Sequence, residues 1–497
     1  MTERSFDSPR EPSGTLPSLR TKSQNPRCRK KRVAEAGGIS YKPMKLADRA
    51  RGRTMRKVLF LLLFVPGVLL AREPQEAGRN ANAGVSGRWV VNTDYYGTPI
   101  YYRMELKQEG EKLSGDFGGD KLEGTLKGNA IYFLAKDEQG GTDEGKGTVQ
   151  GGNITGTVVF THADDAAHPA THKFTAELVP SRSARPPRRH EFVPTTFYRQ
   201  FSAANKAVLT IDPGDTVHTT TVDAGGTDEK GVTRVLGGNP ETGPFYVETA
   251  APGDTLVVRL TRVRLNRDWA QSDDFIVGRA LDGDLAVKMK DAGKTVRWHL
   301  DAEHRVAMPE KPAEHLTRYS VPLRPMLGCV AVAPNVAQAA PGTGDSGRYG
   351  GNMDFNEIVE GATVYLPVNV PGALLYVGDG HAMQGDGELN GNALETSMDV
   401  EFTVDVIPGK RITGPRVESA THIMAMGLGG SLDDAFRAAT AGMAQWLTDE
   451  YKLTPSEVAQ VLGTSAEYKV SEVADRNAGI VLKINKERLK PLATAGN

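Results

Sequence analysis

The chain predicts a mainly β protein with a small N-terminal barrel, a larger β-rich domain, and a smaller α/β part at the C-terminal end. Three observations lead there. Residues 85–179 are short alternating segments, cut by Gly, Asn and Asp turns about every 8–12 residues, the mark of a closed meander. From there to about Pro415, strand-length apolar runs alternate with Pro-Gly and Gly-Asp turns. Only after residue 430 does the apolar period change to that of a helix. The 497 residues are too many for one core and imply two or three domains.

Residues 1–54 hold 14 Lys/Arg against 5 Asp/Glu with no hydrophobic period, a composition expected to stay disordered. Met55-Arg56-Lys57 and the run VLFLLLFVPGVLLA, ending at Ala71, form a charged start, an apolar centre and a small terminal residue. That is the layout of a secretory signal peptide, and at about 14 apolar residues it is short for a membrane span. Translation is therefore expected to start at Met55, making 1–54 a mis-assigned leader and the protein periplasmic or secreted, with no lasting membrane anchor. Of 60 basic and 61 acidic residues, 16 basic and 5 acidic precede residue 72, leaving the remainder at a net charge of −12. Such a balance argues against nucleic acid as a partner. Cys28 falls in the leader, so Cys329 has no disulfide partner in the rest of the chain; within GCVAVA it reads as core packing rather than a nucleophile.

A polar linker (72–84) leads to the segments SGRWVV, IYYRMELKQ, KLSGDF, KLEGTLKG, AIYFLA, GKGTVQG, NITGTVVF and HKFTAELV. This 85–179 unit resembles lipocalin-like or streptavidin-like barrels through its Gly87-Arg88-Trp89 opening, with Trp89 expected to plug the barrel bottom. A second linker (180–196) begins with Pro, Arg and Ser and should be exposed. Strand runs KAVLTI, DTVHTTTV, DTLVVRLTRVRL, GCVAVAP, ATVYLPVNV, ALLYVGD and MDVEFTVDVI follow. In SLDDAFRAATAGMAQWLTDEY the stripe Leu432, Ala435, Phe436, Ala439, Met443, Trp446 and Leu447 predicts an amphipathic helix capped by Ser431. TPSEVAQVLG makes a second helix with Pro455 near its start, and GIVLKI returns to strand.

The stretch LLYVGDGHAMQGDGELNGNALE at 374–395 carries most of the chemistry. An apolar strand is expected to break at Gly378 into a loop holding Asp379, His381, Asp386 and Glu388, with Glu395 beyond it. Five glycines from Gly378 to Gly391 let backbone approach a bound group closely. One imidazole among carboxylates at the mouth of a rigid element is the composition of a hydrolytic metal site.

Residues 197–490 resemble the acetamidase/formamidase family. The stretches that carry this are NPETGPFYVETAAPGDTLVV at 239–258, PMLGCVAVAP at 325–334, the long block from Gly347 to Glu395, and the tail from SLDDAF through VSEVADRNAGIVLKI. The resemblance implies a mostly β architecture, hydrolysis of small linear amides to acid and ammonia, a bound divalent metal and a homo-oligomer. Two departures stand out: TTVDAGGTDEKG around Asp223 is unusually glycine-rich, and Arg324 precedes Pro325 where an apolar residue or His is expected.

Amide hydrolysis asks for a cation to polarise the carbonyl or acidify water, a carboxylate to move a proton, and donors for the oxyanion. His381 is the leading metal ligand, joined by Asp223 from a second strand end, by Asp354 and by Asp379. Glu388 and Glu395 flank the loop as proton carriers, Glu388 favoured, and Asn352 is placed to donate to the oxyanion. His218, His299 and His304 lack the spacing of a metal site. Mixed imidazole and carboxylate ligands suit Zn²⁺, with Ca²⁺ the alternative. No Gly-Lys-Ser/Thr phosphate loop and no G-x-S-x-G elbow occur. Two further readings are a non-catalytic exported protein whose barrel holds a small ligand, and a structural oligomer that binds only Ca²⁺.

Overall fold

Strand alternation in the first hundred described residues closes on itself. In the computed structural model the described residues are 84–290, 292–335 and 340–493, so the expected leader, the signal segment and nearly all of the first linker lie outside them. Eight antiparallel strands, from Gly87–Tyr95 to Ala170–Leu178, form a closed barrel in which the first strand pairs with both the second and the eighth. Its interior is filled by Trp89, Met104, Phe117, Leu122, Phe133 and Phe174 among others. Each such side chain contributes about 1.5–3 kcal/mol by leaving water. Trp89 is 1% exposed and donates from Nε1 to the Val85 carbonyl at 3.0 Å. The barrel is a packed body, as small eight-stranded barrels can be.

Arg88, beside that tryptophan, fixes the barrel to the next domain. Its Nη1 donates to both oxygens of Asp254 at 2.7 and 2.8 Å, and its Nη2 to the Thr249 carbonyl at 3.2 Å. Asp254 also accepts from the Ala251 and Gly409 N–H groups at 3.0 and 2.7 Å. The second linker is exposed as expected but not loose. Arg185 reaches Asp212 and Asp215, the Arg188 N–H donates to Asp215 at 2.8 Å, and Arg182 pairs with Asp405 at 3.0 Å.

The larger domain is a sandwich of a 12-stranded and a nine-stranded sheet. Val217, Leu256, Val258, Phe402 and Val404 of one sheet share a core with Phe245, Val330, Leu375 and Val377 of the other. Met398–Ile407 alternates buried and half-buried residues, whereas Met326–Val332 and Leu375–His381 are buried throughout. These last two strands pair with each other in the middle of the larger sheet. They are the elements on which the site is built.

The C-terminal helix Leu432–Tyr451 buries Ala435, Ala439, Met443, Trp446 and Leu447 against the strands His422–Gly429 and Ala478–Asn485. The Ser431 side chain caps it, and Thr454 with Glu457 makes a capping box on Pro455–Ser465. Leu432 and Phe436, counted in the apolar stripe, lie outside that core. Phe436 instead stacks on Tyr468 of the sheet edge, ring centroids 4.4 Å apart. No helix of the described residues is long and apolar enough to cross a membrane.

Candidate functional site

The strand from Leu375 does not break at Gly378; pairing continues to His381. Asp379 takes φ +51° without shifting the register, and beyond it Gly380 pairs with Leu327 and His381 with Met326. On its other edge His381 stands directly opposite Glu395. The imidazole and Glu395 are thus cross-strand neighbours, a relation that fixes their distance far better than a loop would.

Around the His381 Nε2 atom lie Glu395 Oε1 at 3.3 Å, Asp379 Oδ2 at 3.4 Å and Glu388 Oε1 at 3.9 Å. Asp354 joins His381 and Glu388 in one triad of convergent ligand atoms, and Asp379 joins His381 and Glu395 in another. Asp354 is brought in by a turn whose Met353 and Asp354 N–H groups donate to the Gly328 carbonyl at 2.9 and 3.2 Å. Gly328 is required here, since a Cβ would sit 2.2 Å from Asp379 Oδ2 and 2.4 Å from Asp354 Oδ1. Asp354, Asp379 and Glu388 all have φ between +40° and +51°. Left-handed backbone at three charged residues is a concentration of strain characteristic of functional sites.

The imidazole is held by Gln384. Its Oε1 lies 2.8 Å from His381 Nδ1, while its Nε2 donates to the carbonyls of Asp354 and Ser471 at 2.5 and 3.2 Å. The amide is oriented by those two carbonyls, so Nδ1 of His381 carries a proton and Nε2 is the ring atom turned to the carboxylates. Gln384 was not singled out from sequence, although it sits inside the 374–395 stretch.

Glu241 is the second addition. It is fully buried, and both its oxygens lack hydrogen-bond partners. Gly378 makes room for it, for a Cβ there would lie 2.1 Å from Glu241 Oε2. The signal was a lone charge in the otherwise strand-like run ETGPFYV. Cys329 is buried beside it, and burial together with the Glu241 carboxyl pushes its thiol up, so core packing rather than reactivity describes it. Glu472 and Asp475, from the VSEVADRN segment, complete the acidic surroundings.

The electrostatics follow from burial without counter-charge. Burial, reinforced by Asp379, pushes Glu395 up to about 7. Burial likewise holds Asp354, Glu388 and Glu241 well above the carboxylate range, with neighbouring carboxylates adding to it. For His381 burial works to lower the pKa, but Glu395 and Asp379 outweigh it and raise it well above the ordinary value. Both oxygens of Asp379, one oxygen each of Asp354 and Glu395, and Nε2 of His381 have no hydrogen-bond partner. Buried unpaired atoms of this kind are costly. The set fits a divalent cation, which would take the place of the Nε2 proton: one imidazole nitrogen, oxygen atoms convergent on it, and excess carboxylate to neutralise.

Other expected residues have different partners. Asp223 does not join either triad; its Oδ2 accepts from Arg267 Nη2 at 2.7 Å and its Oδ1 from the Thr227 N–H at 2.8 Å. The strand before it ends at Thr220, so Asp223 lies in a turn. Arg267 also donates to the Glu395 carbonyl and Thr396 Oγ1, which makes the pair a clamp on the Glu395 backbone. Asn352 donates from Nδ2 to Asp354 and Asp475, both at 2.7 Å. Its amide hydrogens are thereby used, and the atom left over, Oδ1, is an acceptor unsuited to the oxyanion role. Asp386 anchors its loop on Lys469 and Asn356, and His218 is held by Glu191 and Asp399. Two clefts of about 570 and 520 Å³, one near Trp446 and one between barrel and sandwich, include none of the cluster residues.

The profile of the acetamidase/formamidase family matches residues 310–420, which hold Asp354, Asp379, His381, Glu388 and Glu395. An acetamidase of Mycolicibacterium smegmatis is 43% identical over 61 residues, 12% of this chain and 15% of that protein's length. The crystal structure of an acetamidase from Bacillus halodurans is similar at 26% identity and TM-score 0.52, covering 61% of this chain and 99% of that one. An acetamidase structure from Yersinia enterocolitica gives 26% identity and TM-score 0.53, over 62% of this chain and 94% of the other. The sandwich is therefore similar in fold to these acetamidase structures, and the buried carboxylate–imidazole centre lies inside the matched segment. The family profile thus falls within the sandwich, and the eight-stranded barrel precedes the matched segment.

Proposed function

We propose that the protein hydrolyses small linear amides of the formamide or acetamide type to a carboxylate and ammonium at the His381 centre. The observation that carries this is the convergence of Asp354, Asp379, Glu388 and Glu395 on an imidazole whose Nε2 has no hydrogen-bond partner. His381, Asp379 and Asp354 would hold a divalent cation, Zn²⁺ foremost because imidazole is among the ligands and Ca²⁺ the alternative. Bound there, the cation supplies Lewis-acid polarisation of the amide carbonyl and acidifies water.

The residues divide the remaining work. Gln384 keeps the ring in the tautomer that leaves Nε2 available. Glu395 takes a proton from the attacking water and returns it to the departing nitrogen, with Glu388, 3.9 Å from the same Nε2, as its alternate. Overall RCONH₂ + H₂O gives RCOO⁻ + NH₄⁺, with the amide C–N bond broken and a C–O bond formed. Every cluster residue is less than 10% exposed, which favours small substrates. Export is supported by the 55–71 segment and the single cysteine after residue 71. The filled barrel gives no support to a ligand-carrying role for that module.

The direct test is ammonia release from formamide and acetamide by the purified protein, with bound metals measured on the same sample. Turnover that stops on chelation and in His381→Ala is expected. Undiminished turnover after both would reject the metal scheme, and no ammonia from either amide would reject the activity.

A further inference from the structure

One buried carboxyl in this region does not face the imidazole. Glu472 is 0% exposed, and its Oε1 has no hydrogen-bond partner. Its Oε2 accepts from the Asp475 N–H at 3.2 Å. Asp475 accepts in turn from Asn352 Nδ2, which also donates to Asp354 of the reaction centre. Asp354 is fully buried, Asp475 is half-buried, and the next residue, Arg476, has a side chain 79% exposed and reaches Asp345 at 3.4 Å. A line of carboxyls thus runs from the centre to the surface, with the buried Glu472 beside it.

A second, independent feature lies beside Glu472. The Ser346 hydroxyl, 2% exposed, is turned toward the Glu472 carboxyl yet closes no hydrogen bond. Asn352 Oδ1, next to the Ser346–Gly351 strand pair, is also without a partner. All these orphaned atoms are acceptors or can act as acceptors. Burial, with Asp475 adding to it, pushes Glu472 up to about 8, the mark of a charge lacking compensation. The nearby Arg279 guanidinium is occupied by the Asp475 and Arg476 carbonyls at 2.8 and 2.5 Å. Several unsatisfied acceptors and excess negative charge call for a small cation with several N–H donors.

We propose that Glu472 and Ser346 hold an ammonium ion as it passes from the reaction centre by Asp475 to solvent. The site rests on the amide-hydrolysis reading, which makes ammonium a product. Its role is to draw the cation away from the carboxylates that would otherwise retain it.

The full chain is titrated, without amide, with ammonium, sodium and tetramethylammonium chloride at matched ionic strength while Tm is followed. Ammonium alone should raise Tm. Glu472→Gln should need about tenfold or more ammonium for the same shift, the loss expected for one charged hydrogen bond. Equal shifts with sodium, or an undiminished ammonium shift in Glu472→Gln, overturn the site. If that variant does not fold, Ser346→Ala decides: an ammonium response unchanged from the parent overturns the proposal, and a weakened one supports it. Ammonia release from formamide is measured on the same preparations. Release without an ammonium-specific shift refutes this site alone, whereas no release refutes the reaction while the ammonium titration still judges the cation site.

Discussion

His381 matters through one atom, and that atom depends on a neighbour three residues on. Replacing Gln384 by Ala frees the ring to rotate and to exchange tautomers. Metal affinity should fall about 10–100-fold, the usual cost of losing an outer partner, while the fold survives. Titration of bound zinc against a chelator measures it, and unchanged affinity would remove Gln384 from the site. Gly328→Ala tests the crowding argument: a methyl 2.2 Å from Asp379 Oδ2 must displace that carboxylate or Asp354. Metal content and ammonia release should both drop by about tenfold or more, consistent with loss of one charged contact. A variant with normal metal and normal turnover would show that the two carboxylates need not stand so close.

At the level of elements, the strand Leu375–His381 and the barrel make separate claims. Leu375 and Val377 of this strand serve the core, while Asp379 and His381 at its end serve the site. The Arg88–Asp254 pair joins barrel to sandwich, and Asp254 receives four hydrogen bonds in all. Asp254→Ala should cost about 3 kcal/mol, because it strands a guanidinium and two N–H groups. A lowered Tm with faster cleavage in the 180–189 segment is the expected readout; unchanged values would mean the barrel is held elsewhere. Within the barrel, burial chiefly and Asp120 next push Asp143 up to about 6. The unfolded chain ionises this group near 4, so between about pH 4 and 6 the unfolded state gives up a proton that the barrel retains. Asp143 therefore makes the barrel less stable as pH rises through that window, with the penalty complete above it. Asp143→Asn should raise Tm at pH 7 and flatten the dependence. A steeper slope, or a lower Tm at pH 7, would contradict the sign.

For the whole molecule, the proposed cation would tie stability to the buried carboxylates. A metal bound only by the folded state, at 100 times its Kd, adds about 2.7 kcal/mol. Chelation should lower Tm in the parent and leave His381→Ala unmoved, and an equal drop in both would place the stabilising metal elsewhere.

The barrel, the β-rich domain and the C-terminal helices were legible along the chain because alternation and helical period are local properties. The same holds for the 374–395 stretch, where glycines, an imidazole and carboxylates are adjacent in sequence. Local order could not show that the strand runs on to His381, since its end is set by pairing with strands distant in sequence. It could not separate Asp223 from the triads, because Arg267 lies 44 residues away along the chain. Nor could it find Glu241, Gln384 or Glu472, whose importance comes from being buried beside other groups. Sequence by itself determined the kinds of element, their order and the chemical character of one segment. Tertiary structure alone decided which charges lack a partner, because desolvation and opposing charge are set by neighbours in space.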